Sequence, residues 1–157
     1  DKAWFGHVGD SRAYLIRNGR ITQVTEDHSL VQEQVAAGLI TAEQAKVSVM
    51  RNIITRSIGY EREVKVDVGA VPLQRGDQFV LCSDGLTGHV EDNEILQLVS
   101  TEERRRAPQQ LIRLANERGG EDSSTVVLAS VLGRRGRDRN RRRGPTTETA
   151  PGTARSK

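Results

Sequence analysis

Asn18-Gly19 lies between two short runs of strand-forming residues, Ala13-Tyr14-Leu15-Ile16 and Ile21-Thr22-Gln23-Val24, and no other feature constrains the fold as much. Both turn residues tolerate positive φ, which the tight hairpin turns matching strand twist require. An earlier apolar run, with Trp4, Phe5 and Val8, ends at Gly9-Asp10-Ser11. The opening therefore reads as a three-strand antiparallel meander.

The period then changes. Leu30, Val31, Val35 and Ala36 recur at helical spacing, Gly38 can close that helix, and Thr41-Ala42-Glu43-Gln44 resembles an N-capping box for a second one. Val64, Val66, Val68 and Ala70 alternate with other residues as a strand does, and Arg75-Gly76-Asp77 turns the chain into Phe79-Val80-Leu81-Cys82. Two helices follow, one carrying Ile95, Leu96, Leu98 and Val99. The other carries Leu111, Ile112, Leu114 and Ala115 between Pro108 and Gly119, the usual helix punctuation. Residues 125–132 form a last strand. The order β, α, β, α, β suits antiparallel sheet with packed helices, an α+β fold, rather than alternating βαβ units.

Charge divides the 157 residues in two. Residues 134–157 carry a net +7 and only two apolar residues, Ala150 and Ala154, whereas residues 1–133 carry a net −4 and the other 53. The first part can bury one modest core. The second, Arg-rich part has no apolar periodicity and is expected to be a disordered tail. No apolar run approaches the length that spans a bilayer, and the single cysteine, Cys82, forms no internal disulfide framework and fits a reducing compartment, read here as cytoplasmic.

Three aspartates share one setting: Gly9-Asp10-Ser11, Ser83-Asp84-Gly85 and Glu121-Asp122-Ser123. Each stands at the boundary of an apolar strand beside small residues. Turn chemistry alone accounts for any one of them. Together they can converge on one rim, where clustered carboxylates need a cation, and all-oxygen ligation favours Mg²⁺ or Mn²⁺ over zinc.

The words around these residues follow in order: Val8-Gly9-Asp10-Ser11-Arg12-Ala13-Tyr14, Thr25-Glu26-Asp27-His28-Ser29, Ile54-Thr55-Arg56-Ser57-Ile58-Gly59, Asp77 through Thr87, and Gly119-Gly120-Glu121-Asp122. The series resembles the metal-dependent protein phosphatase family (protein phosphatase 2C) in its bacterial form, over residues 3–132. The resemblance implies a four-layer αββα sandwich, two antiparallel sheets flanked by helices. It implies hydrolysis of phosphoserine and phosphothreonine in proteins, by water activated between Mn²⁺ or Mg²⁺ ions, two to three per complete domain. Carried over by motif, Asp84 and Asp122 hold the first ion, and Asp10 with Asp84 holds a third. Arg12, Thr25, Asp27 and Gly59 fall at supporting positions, and residues 30–53 correspond to the flap that influences substrate choice. The implied partners are phosphorylated Ser/Thr proteins, together with an opposing Ser/Thr kinase and its substrates.

Two departures stand out. Ser123 follows Asp122 where the family usually has Asn, which implies a tuned site. The family's early Asp-Gly-x-Gly-Gly motif, its neighbouring histidine and its phosphate-gripping arginine are absent; Asp84-Gly85 is the sole Asp-Gly. The chain is therefore expected to be the C-terminal part of a catalytic domain, inactive alone, with no protein nucleophile of its own. Rival readings are a pseudo-phosphatase or phosphoprotein-binding module, and a stress-response phosphatase acting on an anti-sigma-factor antagonist. The Arg-rich run from Arg134 to Arg143 offers weak binding to nucleic acid or anionic lipid, without aromatic residues for base stacking. His7, His28 and His89 share no metal-ligand spacing and read as structural or surface residues. Cys82 reads as an inert core thiol, Glu102 to Arg106 as a solvated face, and Lys2 and Trp4 as exposed.

Overall fold

The computed structural model describes residues 1–120 and 123–133. The Arg-rich segment 134–157 and the expected ligand Asp122 lie outside the described residues. Strand β1 (Lys2–His7) is followed by the hairpin β2 (Arg12–Arg17) and β3 (Arg20–Gln23), then by helices α1 (Leu30–Ala36) and α2 (Ala42–Val47). Strands β4 (Asp67–Pro72) and β5 (Gln78–Cys82) lead into α3 (Asp84–Thr87), α4 (Asp92–Thr101) and α5 (Ala107–Glu117), and β6 (Val126–Ser130) closes the order.

The strands form two antiparallel sheets, one of order β3-β2-β5-β6 and one pairing β1 with β4. The α+β architecture of antiparallel sheets with packed helices is the expected one. The hairpin is also as read: Asn18 and Gly19 both have positive φ, at 52° and 71°, which the type I′ turn needs. The three-strand meander is not. β1 leaves the hairpin and pairs with β4 over Lys2↔Pro72 to His7↔Asp67. The cause is the Gly9 turn, whose φ of 108° breaks the strand direction between His7 and Arg12. The strand read from Val64 onward begins only at Asp67.

The core lies between the four-stranded sheet and α3–α5. Tyr14 and Ile16 of β2 and Val80 and Cys82 of β5 point to one face, and Tyr14 pairs directly with Val80. Against them pack Leu86, Val90, Ile95 and Val99, with Ala107, Leu111 and Ala115 spaced four apart on α5. That spacing puts all three α5 residues on one helix stripe. α5 has Pro108 in its first turn, and Gly119 follows it at φ 93°. The capping box at Thr41 and Gln44 forms as the sequence indicates, with Gln44 N–H donating to Thr41 Oγ1 at 3.1 Å and Thr41 N–H to Gln44 Oε1 at 2.8 Å.

The two-stranded sheet is thinner. Phe5 lies across Gly69, its register partner, where a Cβ would overlap the ring. On the opposite face Trp4 and Val68 are exposed, at 72% and 71%. Among the described residues no helix is long and apolar enough to cross a membrane.

Candidate metal centre

Asp10 and Asp84 are brought together by strand register. β2 and β5 pair antiparallel with Arg12 opposite Cys82, so two further steps along each chain carry Asp10 and Asp84 toward the same end of the sheet. β6 extends the rim: Cys82 faces Val126, Ser83 N–H donates to the Thr125 carbonyl at 3.1 Å, and Thr125 N–H donates to Ser83 Oγ at 3.0 Å. Gly85 lets this rim close, since a Cβ there would stand 3.1 Å from Ser124 Oγ and 3.2 Å from the Ser123 carbonyl oxygen.

The electrostatics agree with the register. Burial, and after it the charge of Asp84, push the Asp10 carboxyl above the usual carboxylate range, and Asp27 adds to the effect. Asp84 is solvent-exposed and opens α3, where its Oδ1 accepts from Gly85 N–H at 2.9 Å. A carboxyl raised by burial and by a neighbouring carboxylate's charge, at the open end of a sheet, suits a hard divalent cation, which would offset that charge. Among the described residues no three His, Cys, Asp or Glu side chains gather closely enough to hold a metal, and Asp122 lies outside them.

Around the rim runs a polar scaffold. Arg12 grips Asp27 with Nε (2.9 and 3.0 Å) and Nη2 (2.7 Å), and its Nη1 donates to Tyr14 Oη at 3.2 Å. The fully buried Tyr14 donates onward to Asp92 Oδ1 at 2.9 Å, tying α4 to the sheet. Thr25 Oγ1 accepts from Ala13 N–H at 3.0 Å. Arg12, Thr25 and Asp27 are thus all engaged in hydrogen bonds within the protein.

His7 and His28 are buried and His89 is half-buried. Cys82 is buried, and burial pushes its thiol up to about 11, so it stays protonated and inert. Lys2, Trp4 and residues 102–106 are exposed, as read. Asp67 went unremarked in the sequence, yet it accepts from His28 Nε2 at 3.0 Å and from Arg56 Nη1 at 2.9 Å. Arg56 falls in the Thr55-Arg56-Ser57 word and His28 in Asp27-His28-Ser29, so their joint presence was the available signal; nothing local marks Asp67 as their partner.

Residues 1–124 match the family model described as protein phosphatase 2C. The chain is 42% identical over 132 residues to protein phosphatase PhpP of Streptococcus pneumoniae, covering 83% of this chain and 54% of that protein. It resembles the crystal structure of the Mycobacterium tuberculosis serine/threonine phosphatase PstP/Ppp with a TM-score of 0.81 and 38% identity, covering 84% of this chain and 56% of that one. It also resembles the catalytic domain of the serine/threonine protein phosphatase PstP, solved in complex with two manganese ions, with a TM-score of 0.71 and 38% identity, over 84% and 54% of the two chains. The chain spans about half the length of the curated relatives it matches.

Proposed function

This chain belongs to the protein phosphatase 2C family, and on that footing we propose that it is the C-terminal part of a domain that hydrolyses phosphoserine and phosphothreonine in proteins. The observation that carries the reading is the approach of Asp10 to Asp84 at the end of the β2–β5 pair, with the Asp10 carboxyl raised by burial and by Asp84's charge. Asp84 and Asp122 hold one divalent ion in this reading, and Asp10 with Asp84 holds another. Mn²⁺ is favoured by analogy with the manganese-bound relative. Such an ion supplies Lewis-acid chemistry, lowering the pKa of water and drawing off phosphoryl charge.

The chain's own residues supply position. Arg12 and Asp27 fix the start of β2, two residues after Asp10; Ser83 and Gly85 seat α3 against the lead into β6, which holds Asp84 at the rim. In this reading the rest of the constellation, including the Asp-Gly-x-Gly-Gly carboxylate that the family resemblance implies, lies outside this chain. Residues 30–53 serve as the substrate-facing flap, and residues 134–157 as a cationic tail with at most a weak anionic partner. A cytoplasmic phosphatase opposing a Ser/Thr kinase is the setting this implies.

The test is hydrolysis of a phosphothreonine peptide in millimolar Mn²⁺, by the chain alone and mixed with the N-terminal half of the pneumococcal relative. Silence alone and turnover on mixing are expected. In the active mixture Asp84→Asn should leave less than about a tenth of the rate, since metal stabilisation of charge is worth several kcal/mol. Asp10→Ala should shift the Mn²⁺ dependence and slow turnover. Robust turnover by the chain alone, or a mixture indifferent to Asp84→Asn, would remove the proposal.

A further inference from the structure

The turn that carries Asp10 rests on glycine, which has no conformational preference of its own, so something else must hold it at φ 108°. One residue does so twice. His28 N–H donates to the Gly9 carbonyl at 2.8 Å, and Gly9 N–H donates to His28 Nδ1 at 3.0 Å. Both polar groups of the peptide residue preceding Asp10 are thus satisfied by His28. Because Nδ1 accepts, the ring proton sits on Nε2, which donates to Asp67 Oδ2 at 3.0 Å. Asp67 is fixed in turn by Arg56, whose Nη1 also donates to the Lys65 carbonyl at 3.2 Å.

The same residue closes the insert between β3 and β4. Thr55 N–H donates to the His28 carbonyl at 2.9 Å, Leu30 N–H donates to the Ile53 carbonyl at 2.9 Å, and Ser29 bridges Ile54. Both ends of residues 30–53 therefore meet at His28. On the far side of Asp10, His7 Nε2 donates to the Ser11 carbonyl at 2.8 Å, and the His7 ring lies 4.7 Å from that of His28. The two imidazoles bracket Asp10 at residues 9 and 11.

We propose that His28, oriented by Asp67, is a positioning residue: it sets the Gly9–Asp10 turn for cation binding and couples that binding to the base of the 30–53 insert. The inference rests on the metal reading above. A histidine filling a core needs only its ring volume. This one spends both ring nitrogens, one on the ligand-bearing turn and one on a carboxylate anchored to the insert's return, as residues behind a metal ligand do.

The experiment is a Mn²⁺ titration of the full ¹⁵N-labelled chain, read by paramagnetic broadening of backbone amides and by hydrogen exchange at Gly9. Broadening of wild type at residues 9–11 and 84–85 is expected; its absence there would sink the metal reading, and this one with it. Given binding, His28→Gln, which cannot place an acceptor at Nδ1, should raise the Mn²⁺ midpoint about tenfold and speed Gly9 exchange. His28→Asn, whose Oδ1 falls near the Nδ1 position, should restore most of both. Asp67→Asn, a change at a half-buried site, should give a smaller loss in the same direction and stands in if His28→Gln does not fold. Equal damage by Gln and Asn would reduce His28 to a packing residue. Unchanged Mn²⁺ midpoints in a folded Gln or Asp67→Asn variant would overturn the proposal while leaving the metal site intact.

Discussion

Between the four-stranded sheet and α3–α5, Tyr14, Val80, Leu86, Ile95 and Leu111 are at or near zero exposure. Around the two-stranded sheet and residues 30–66, the large apolar side chains of Trp4, Val49, Ile58, Tyr60 and Val68 stand open to solvent. In the first region apolar burial does the holding. In the second, polar struts do: His28 to Asp67 to Arg56, and the backbone bonds that return the insert to residues 28–30. The candidate site straddles the boundary, with Asp84 on the packed side and Asp10 on the strutted side. The side of the site that carries Asp84 is therefore held by packing, and the side that carries Asp10 by hydrogen bonds that can open locally.

The largest effect expected is on the packed side. Leu111→Ala should cost about 2–5 kcal/mol, because a buried methyl-bearing side chain leaves a cavity that close-packed neighbours cannot fill. Val49→Ala, at a residue 96% exposed, should stay within about 0.5 kcal/mol of wild type. Urea unfolding of both variants reads the difference directly. If the two costs were alike, the contrast between the regions would be false.

Tyr14→Phe probes a polar strut inside the packed region. It keeps the ring and removes the hydroxyl that links Arg12 to Asp92, so a loss of about 1 kcal/mol is expected. A loss as large as that of Leu111→Ala would mean the Arg12–Tyr14–Asp92 chain organises the core rather than decorating its edge.

A third outcome separates function from stability. Burial and Asp84 raise the Asp10 carboxyl, so its ionisation disfavours the metal-free fold above the pH where it ionises. Asp10→Asn should therefore raise the urea midpoint slightly near neutral pH. That gain should vanish on acidification through the usual carboxylate range, where wild type also carries a proton. The same variant should lose Mn²⁺ affinity at its site. Greater stability with weaker binding is the signature of a residue kept for its site; a destabilised Asp10→Asn would place Asp10 among the supports instead.

Much of this was legible in the sequence because the information is local. The turn at Asn18-Gly19, the cap at Thr41 and the period of α4 and α5 each depend on neighbours a few residues away. The pairing of β1 did not follow, since it depends on partners 60 to 70 residues on and on one glycine's φ. Asp10 and Asp84 were readable as candidates through their ordered words, and the β2–β5 register brings them to one rim. The Asp67 strut was not readable, because its meaning comes from His28, 39 residues before it in the chain.

The smallest expected effect is also the most local. Each region holds one carboxylate depressed to about 2: Asp67, by the hydrogen bonds from His28 and then Arg56, and Glu94, chiefly by Arg118. A depressed carboxyl contributes stability that is present above its ordinary range and lost as pH falls toward the folded value. Both pairs should therefore weaken between about pH 4 and pH 2. The consequences should differ. Glu94 joins α4 to Arg118 beyond α5, helices whose apolar stripes stay buried when the pair breaks, so acid should shift only the global urea midpoint there. Asp67 has no such backing, and its protonation should loosen the His28 clamp first. Amide exchange, corrected for its intrinsic pH dependence, should thus rise at Gly9, Leu30 and Thr55 before it rises in α4 or α5. Asp67→Asn should show that looseness at every pH, while Glu94→Gln should leave those three amides unchanged. Simultaneous loss of protection in both regions would mean that the struts and the core open as one unit, and that the boundary running between Asp10 and Asp84 has no energetic content.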